Sequence, residues 1–115
     1  MQSFPHFSPE ELQCPCCKAG AMNPYFMPKL LALREAWGKP LVINSAYRCK
    51  LHNEAEGGKP KSLHLHGRAV DIAFADSEER EEFIALAKTF GFNGIGRGAN
   101  FLHIDDRAVG AEWTY

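Results

Sequence analysis

The stretch SLHLHGRAVD, at residues 62–71, decides how the rest of the chain is interpreted. His64 and Asp71 are seven residues apart, which is too far for one helical turn. Gly67 lies between them and permits a turn without a steric penalty. Residues 69–74 then form an apolar run typical of a buried strand, with Asp71 as its one charged residue. Because a buried carboxylate is costly unless it is paired or bound to a metal, the pattern indicates a metal ligand on a strand.

A second short stretch, FLHIDD at residues 101–106, supplies further candidate ligands. His103 lies in the apolar run 95–104, which has the character of a second strand. Zinc binds imidazole nitrogen and carboxylate oxygen, and a catalytic zinc usually keeps three protein ligands and one open position. A single histidine near a strand is usually an ordinary core or surface residue. The combination of histidine, glycine turn, strand aspartate and distant histidine favours a metal site.

The stretch at 62–71 resembles the signature S-x-H-x-x-G-x-A-x-D of the zinc D-Ala-D-Ala carboxypeptidases, and it matches every fixed position. Relatives of that family include vancomycin-resistance dipeptidases, phage L-alanyl-D-glutamate endopeptidases and the zinc domain of hedgehog proteins. The sequence around His103 is similar to the family's last ligand motif. The segment SAYR at 45–48, followed by His52 and Asn53, resembles the small branch that phages often encode.

The resemblance extends over residues 7–107 and implies both a fold and an activity. The implied fold is α+β and hedgehog/DD-peptidase-like, with a small central antiparallel sheet, helices on one side and a zinc cleft on the other. Residues 1–115 would form a single zinc peptidase domain. The resemblance further implies one Zn²⁺ ion held by His64, Asp71 and His103, and hydrolysis of a peptide bond in bacterial peptidoglycan. It leaves open whether the enzyme is a carboxypeptidase or an endopeptidase.

The segment before the motif carries the predicted substrate-binding residues. A planar guanidinium can bind a carboxylate through two hydrogen bonds, and the resemblance implies this role for Arg48 at the free end of a peptide. The alternative is a surface arginine that pairs with Glu54 or Glu56. Tyr47 and Ser62 are assigned to the same substrate-binding group.

The general base is the point at which this chain departs from the family that it resembles. Better-known carboxypeptidases carry an acidic residue three positions before the last histidine ligand, and others carry a histidine two positions before it. This chain has Asn100 and Phe101 there. The candidate bases, in order of preference, are Asp105, His66 and His52. Asp105 lies two residues after His103 and shares its side of a strand, so its alternative role is to orient a ligand.

The chain has four cysteines, which are Cys14, Cys16, Cys17 and Cys49. The first three contain a C-x-x-C spacing, which suits zinc or a disulfide. A structural zinc needs four ligands and the sequence shows no second nearby pair, although Cys49 with His6 or His52 offers one solution. We expect free thiols here, rather than a second zinc or a disulfide to Cys49.

Start and stop signals predict three helices and about four strands. The three helices and three of these strands follow in the order helix, helix, strand, strand, helix, strand. Ser8 before a proline marks the first helix start, and Asp76 with Glu79 marks the third as a capping box. The second helix carries an apolar stripe at helical spacing and ends at Gly38. We expect the aromatic residues of the tail at 108–115 to fold over the core.

The composition limits the binding partners and the cellular location that we expect for this protein. The formal net charge of the 115-residue chain is −1, which gives no electrostatic footprint for nucleic acid. Neither a membrane span nor a signal peptide is evident, so we expect synthesis in the cytoplasm. We also expect a monomer. If it acts on the cell wall, release through a membrane pore as a phage or prophage lysis protein would fit. The alternative function is a zinc-containing binding domain of the same fold without catalysis.

Overall fold

A computed structural model describes residues 4–57 and 62–115 of the chain. The secondary structure follows the chain in this order: α1 (Pro9–Leu12), α2 (Phe26–Trp37), β1 (Ile43–Ser45), α3 (Lys50–Ala55), a 3₁₀ helix (Leu63–His66), β2 (Ala69–Ala73), α4 (Ser77–Thr89), β3 (Gly94–Arg97), β4 (Phe101–Asp105) and β5 (Ala111–Thr114). This is an α+β architecture, as predicted. The segment after Tyr47 forms α3, so the described residues contain one more α-helix than expected.

The strands form one sheet in the order β1-β2-β4-β3-β5. The pairs along β1, β2, β4 and β3 are antiparallel, but β5 lies parallel to β3. The prediction of a wholly antiparallel sheet of about four strands was therefore wrong. The reason lies at the end of β4, where Asp105 is paired with Gly94 at the start of β3. The chain passes this point and begins β5 beside Gly94, so the two strands run in the same direction.

Alternation along β2 and β4 separates a packed face of the sheet from a polar one. Val70 and Ile72 of β2 join the hydrophobic core, together with Leu102 and Ile104 of β4. Helices α2 and α4 pack against each other and contribute to the same core. The intervening residues of both strands, which include Asp71, therefore project to the opposite face of the sheet.

The predicted helix starts and the end of α2 are confirmed by the backbone, although the contacts described at α4 show only the Asp76 half of the predicted capping box. Ser8 and Glu11 form a reciprocal capping box at α1, and the Asp76 carboxylate accepts from two backbone N–H groups at the start of α4. Helix α2 ends at Gly38, whose φ is 74°. In the described residues, no helix is both long and apolar enough to cross a membrane.

Gly67 joins the 3₁₀ helix to β2 in a conformation that requires glycine. Its φ is 65°, and its backbone oxygen accepts a hydrogen bond from Asn23 N at 2.9 Å. A β-carbon at this position would lie 2.1 Å from the backbone oxygen of Ala21. The loop before α2 thus lies directly against the turn that separates His64 from Asp71.

We expect Gly67→Ala to lower the free energy of unfolding by about 2–5 kcal/mol. The left-handed conformation costs a non-glycine residue roughly 1–2 kcal/mol, and overpacking against fixed backbone typically adds about 1–3 kcal/mol. Gly38→Ala is the matched control, because Gly38 has a similar φ of 74° but nothing within 4 Å of the added carbon. Urea denaturation of both variants tests this, and equal losses would contradict it.

Candidate metal centre

Three of the predicted site residues meet on the polar face of the sheet. The Asp71 Oδ1 atom lies 3.2 Å from His64 Nε2 and 3.1 Å from His103 Nδ1. Asp71 and His103 are direct cross-strand partners of β2 and β4, and His64 reaches them from the 3₁₀ helix. The three donor atoms lie within 4.8 Å of one another, and all three residues are buried. The structure therefore brings together the residues that the sequence proposed as metal ligands.

The outer nitrogen of each imidazole has its own partner. His64 Nδ1 lies 2.6 Å from the carbonyl oxygen of Ala46, which can only accept, so Nδ1 carries the proton. His103 Nε2 lies 2.6 Å from Asp105 Oδ2 in the same way. Each ring therefore presents an unprotonated nitrogen toward Asp71 when it is neutral. Two imidazole nitrogens and one carboxylate form a donor set that fits Zn²⁺. The partners of the outer ring nitrogens fix the orientation of both imidazoles.

The charges at this site depend on one another. Burial opposes the charge of Asp71, but hydrogen bonds with His103 and His64 hold the pKa of its carboxyl well below the usual range. Burial also opposes a cationic His103, yet hydrogen bonds with Asp105 and Asp71 raise the pKa of its ring. Because a metal binds neutral imidazole, metal binding at this site competes with protonation of His103.

Asp105 lies behind His103 and is completely buried. Arg107 donates to both of its oxygens, from Nε to Oδ1 at 2.8 Å and from Nη2 to Oδ2 at 2.7 Å. Burial opposes its charge, but Arg107 and His103 hold the pKa of Asp105 well below the usual range. Its oxygens are thus directed at Arg107 and His103. This geometry favours the alternative role of Asp105, a carboxylate that orients a ligand, over the role of general base.

The three candidate ligands lie in the wall of a cleft with a volume of about 850 Å³. Arg48 also lines this cleft, and its Nη2 donates to the second carboxylate oxygen of Asp71 at 3.1 Å. Its Nε donates to Ser45 Oγ at 3.0 Å. Arg48 therefore lies beside the candidate metal ligands, in contrast to the alternative of a surface arginine paired with Glu54 or Glu56.

The other two predicted substrate-binding residues have different surroundings. Ser62 lines the cleft, and its Oγ accepts a hydrogen bond from His64 N at 3.2 Å, which caps the 3₁₀ helix. Tyr47 packs against the hydrophobic core, and burial raises the pKa of its phenol. The structure does not place Tyr47 in the lining of the cleft.

The two histidines predicted as alternative bases lie outside the group of candidate ligands. His66 is exposed and does not line the cleft. His52 lies on α3, with its Nε2 3.5 Å from Glu56 Oε1, and Glu56 lines the cleft. His52 therefore contacts a residue of the cleft lining although it does not line the cleft itself.

Sequence reasoning missed the wall that β5 contributes. Trp113 and Tyr115 line the cleft, with the Trp113 ring centred 5.2 Å from the ring of His103. The Arg107 guanidinium stacks on Trp113 at 4.8 Å. A four-residue strand has too little periodicity to be recognised. The aromatic residues of the tail were the available signal, but they were assigned to the core instead of the cleft.

Comparison with known proteins identifies the family. The Peptidase M15 model matches residues 5–105. The chain belongs to the Peptidase M15 family. It is 36% identical over 70 residues to a zinc D-Ala-D-Ala carboxypeptidase of Streptomyces albus G. That match covers 60% of this chain and 27% of the relative, so the chain spans about a quarter of the relative's length. The family and the donor set bear out the prediction of Zn²⁺ as cofactor.

We expect Asp105→Asn to weaken zinc binding by about 10- to 100-fold, because an amide is a poorer acceptor behind His103 than a carboxylate. Competition with a chelator on the folded variant measures this affinity. Asp106→Asn is the control, since Asp106 pairs with Arg68 and Lys29 away from the ligand group. Unchanged zinc affinity in Asp105→Asn together with lost turnover would instead favour the general-base role.

Proposed function

We propose that this chain is a zinc-dependent peptidase that hydrolyses peptide bonds in the stem peptides of bacterial peptidoglycan. The observation that carries the proposal is the group of His64, Asp71 and His103 in the wall of a cleft, within a chain of the Peptidase M15 family. Three protein ligands leave one coordination position open, as catalytic zinc requires. The name of the Streptomyces relative supports a substrate that contains D-alanine.

The chain's own residues prepare the site for this chemistry. A bound Zn²⁺ would supply Lewis-acid polarisation of the scissile carbonyl and a more acidic water. The Ala46 carbonyl and Asp105 fix the proton positions on the two imidazoles. Trp113 covers one side of His103 and reduces the access of solvent to it.

Arg48 is the residue that we assign to substrate recognition. Its guanidinium lies on the cleft wall, next to Asp71, and is held there by Ser45 and Asn53. This arrangement limits the rotation of the side chain, so less entropy is lost when a peptide carboxylate binds. A carboxylate bound at Arg48 would place the adjoining peptide bond close to the candidate ligands.

The His52–Glu56 pair is our proposed proton acceptor. Asp105 is enclosed by Arg107 and His103, whereas the Glu56 carboxylate lies on the cleft lining and is itself accessible. His52 Nε2 lies 3.5 Å from Glu56 Oε1, one helical turn away, and can orient the carboxylate. A water in the cleft could transfer a proton to Glu56, and Glu56 could later donate that proton to the leaving amine.

We expect the wild-type protein to bind zinc and to release free D-alanine or new amino termini from purified peptidoglycan. Free D-alanine would show a carboxypeptidase, and new amino termini would show an endopeptidase. His64→Ala removes one imidazole ligand and should abolish both zinc binding at this site and cleavage. Zinc bound without cleavage of any wall fragment would support the alternative of a non-catalytic binding domain.

Matched variants in the same assay separate the roles of neighbouring residues. His66→Ala is the control for His64→Ala, and retained activity there would exclude His66 as the base. Glu56→Gln should lower kcat by about 10²- to 10⁴-fold while zinc is retained, the usual contribution of a general base. Glu54→Gln, on the exposed surface of α3, should leave kcat unchanged. Normal turnover in Glu56→Gln would rule out the proposed acceptor.

We expect Arg48→Gln to lower kcat/KM about 10- to 100-fold for a stem peptide with a free terminal carboxylate, since charge-assisted hydrogen bonds are lost. The same peptide with an amidated terminus is the control. If the substitution disturbed the metal site through Asp71, it would lower kcat/KM equally for both peptides. Such an effect cancels in the ratio of the two kcat/KM values. An equal loss on the acid and the amide would show that Arg48 orients Asp71 and does not bind the carboxylate.

A further inference from the structure

A second group of potential ligands lies apart from the cleft. It consists of the four cysteine sulfurs of Cys14, Cys16, Cys17 and Cys49, all within 4.8 Å of one another. The separations are 3.5 Å between Cys14 and Cys16, 3.6 Å between Cys14 and Cys49, and 3.2 Å between Cys16 and Cys49. The sequence prediction counted the first three cysteines as one pair and offered His6 or His52 as a fourth ligand beside Cys49. The fold supplies four sulfurs by bringing Cys49 beside them.

The spacing of the sulfurs fits a shared central ion. A disulfide needs an S–S distance of about 2.05 Å, and all four cysteines are free thiols. Four sulfurs at about 2.3 Å from a zinc ion form a tetrahedron with edges of about 3.8 Å. The observed separations of 3.2–3.6 Å are close to these edges and far from a covalent bond.

Backbone N–H groups are directed at two of the four sulfurs. Those of Cys49, Cys16 and Cys17 face Cys14 Sγ. His52 N donates to Cys49 Sγ at 3.4 Å. A tight turn closes the loop, in which Lys18 N donates to Cys14 O at 2.7 Å and Lys18 adopts a φ of 60°. Several thiolates this close together repel one another unless a cation lies between them.

We propose that Cys14, Cys16, Cys17 and Cys49 bind a second, structural Zn²⁺ ion. Thiolate sulfur selects zinc over hard cations such as magnesium and calcium. Four protein ligands fill a tetrahedral shell and leave no open position for water, so this ion would not take part in hydrolysis.

The position of the cluster suggests what such an ion would stabilise. Cys49 is the N-cap of α3 and directly follows Arg48. The preceding backbone is tied on both sides, since Tyr47 N donates to Leu12 O and Arg48 N donates to His64 O. An ion at the cysteines would therefore fasten the loop after α1 to the segment that places Arg48 in the cleft wall.

Metal analysis of untagged protein tests the proposal independently of peptidase activity. We expect about two zinc ions per chain in the wild type, from two complete donor sets. His64→Ala should keep the ion at the cysteines, and the double variant Cys16→Ser/Cys17→Ser should keep the ion at the histidines. After exchange into cobalt, thiolate-to-metal charge-transfer absorption should persist in His64→Ala and disappear in the cysteine variant.

Wild-type protein supplies a test that needs no folded cysteine variant. We expect the four thiols to resist alkylation until a strong chelator is added, although Cys16 and Cys17 are exposed. Rapid alkylation of the untreated protein would overturn the proposal. Cobalt-exchanged wild-type protein without charge-transfer absorption, iron bound in place of zinc, or disulfide formation detected by mass in freshly purified protein would also overturn it.

Discussion

The polar face of the sheet is organised around one buried carboxylate, that of Asp71 on β2. An ionised carboxylate at such a position is strongly unfavourable unless hydrogen-bond donors surround it. His64 and His103 contact one of its oxygens and Arg48 donates to the other. Three separate segments of the chain are thereby tied to a single side chain. A one-residue slip of β2 would direct Asp71 into the hydrophobic core and separate all of these contacts.

The local parts of the site were predictable from sequence because neighbouring residues determine them. The glycine turn at Gly67, the strand that carries Asp71, and the helix caps each depend on a few consecutive residues. The relation of His64 to Asp71 follows from the same short stretch. His103 was a candidate from its own apolar run, and the resemblance to a known family gave it the role of third ligand. The sheet places it opposite Asp71.

Contacts between residues that lie far apart in the sequence could not be predicted from these local patterns. The Ala46 carbonyl orients His64 through a backbone atom, which carries no residue-specific signal. The side of β4 on which Asp105 lies was predictable from strand alternation. Its hydrogen bonds with Arg107 were not, because they depend on how the chain folds back after β4. The direction of β5 follows from the path of a loop, and the convergence of Cys49 on the other cysteines follows from the whole tertiary fold.

The pairing of β5 with β3 separates the aromatic side of the cleft from the metal ligands. The candidate ligands belong to the 3₁₀ helix, β2 and β4, whereas Trp113 and Tyr115 of the cleft wall belong to β5 or follow it directly. Because β5 lies at the edge of the described sheet, beside β3, its detachment would open the cleft and leave the pairing of β2 with β4 intact. Substrate binding and metal binding can therefore vary independently in this fold.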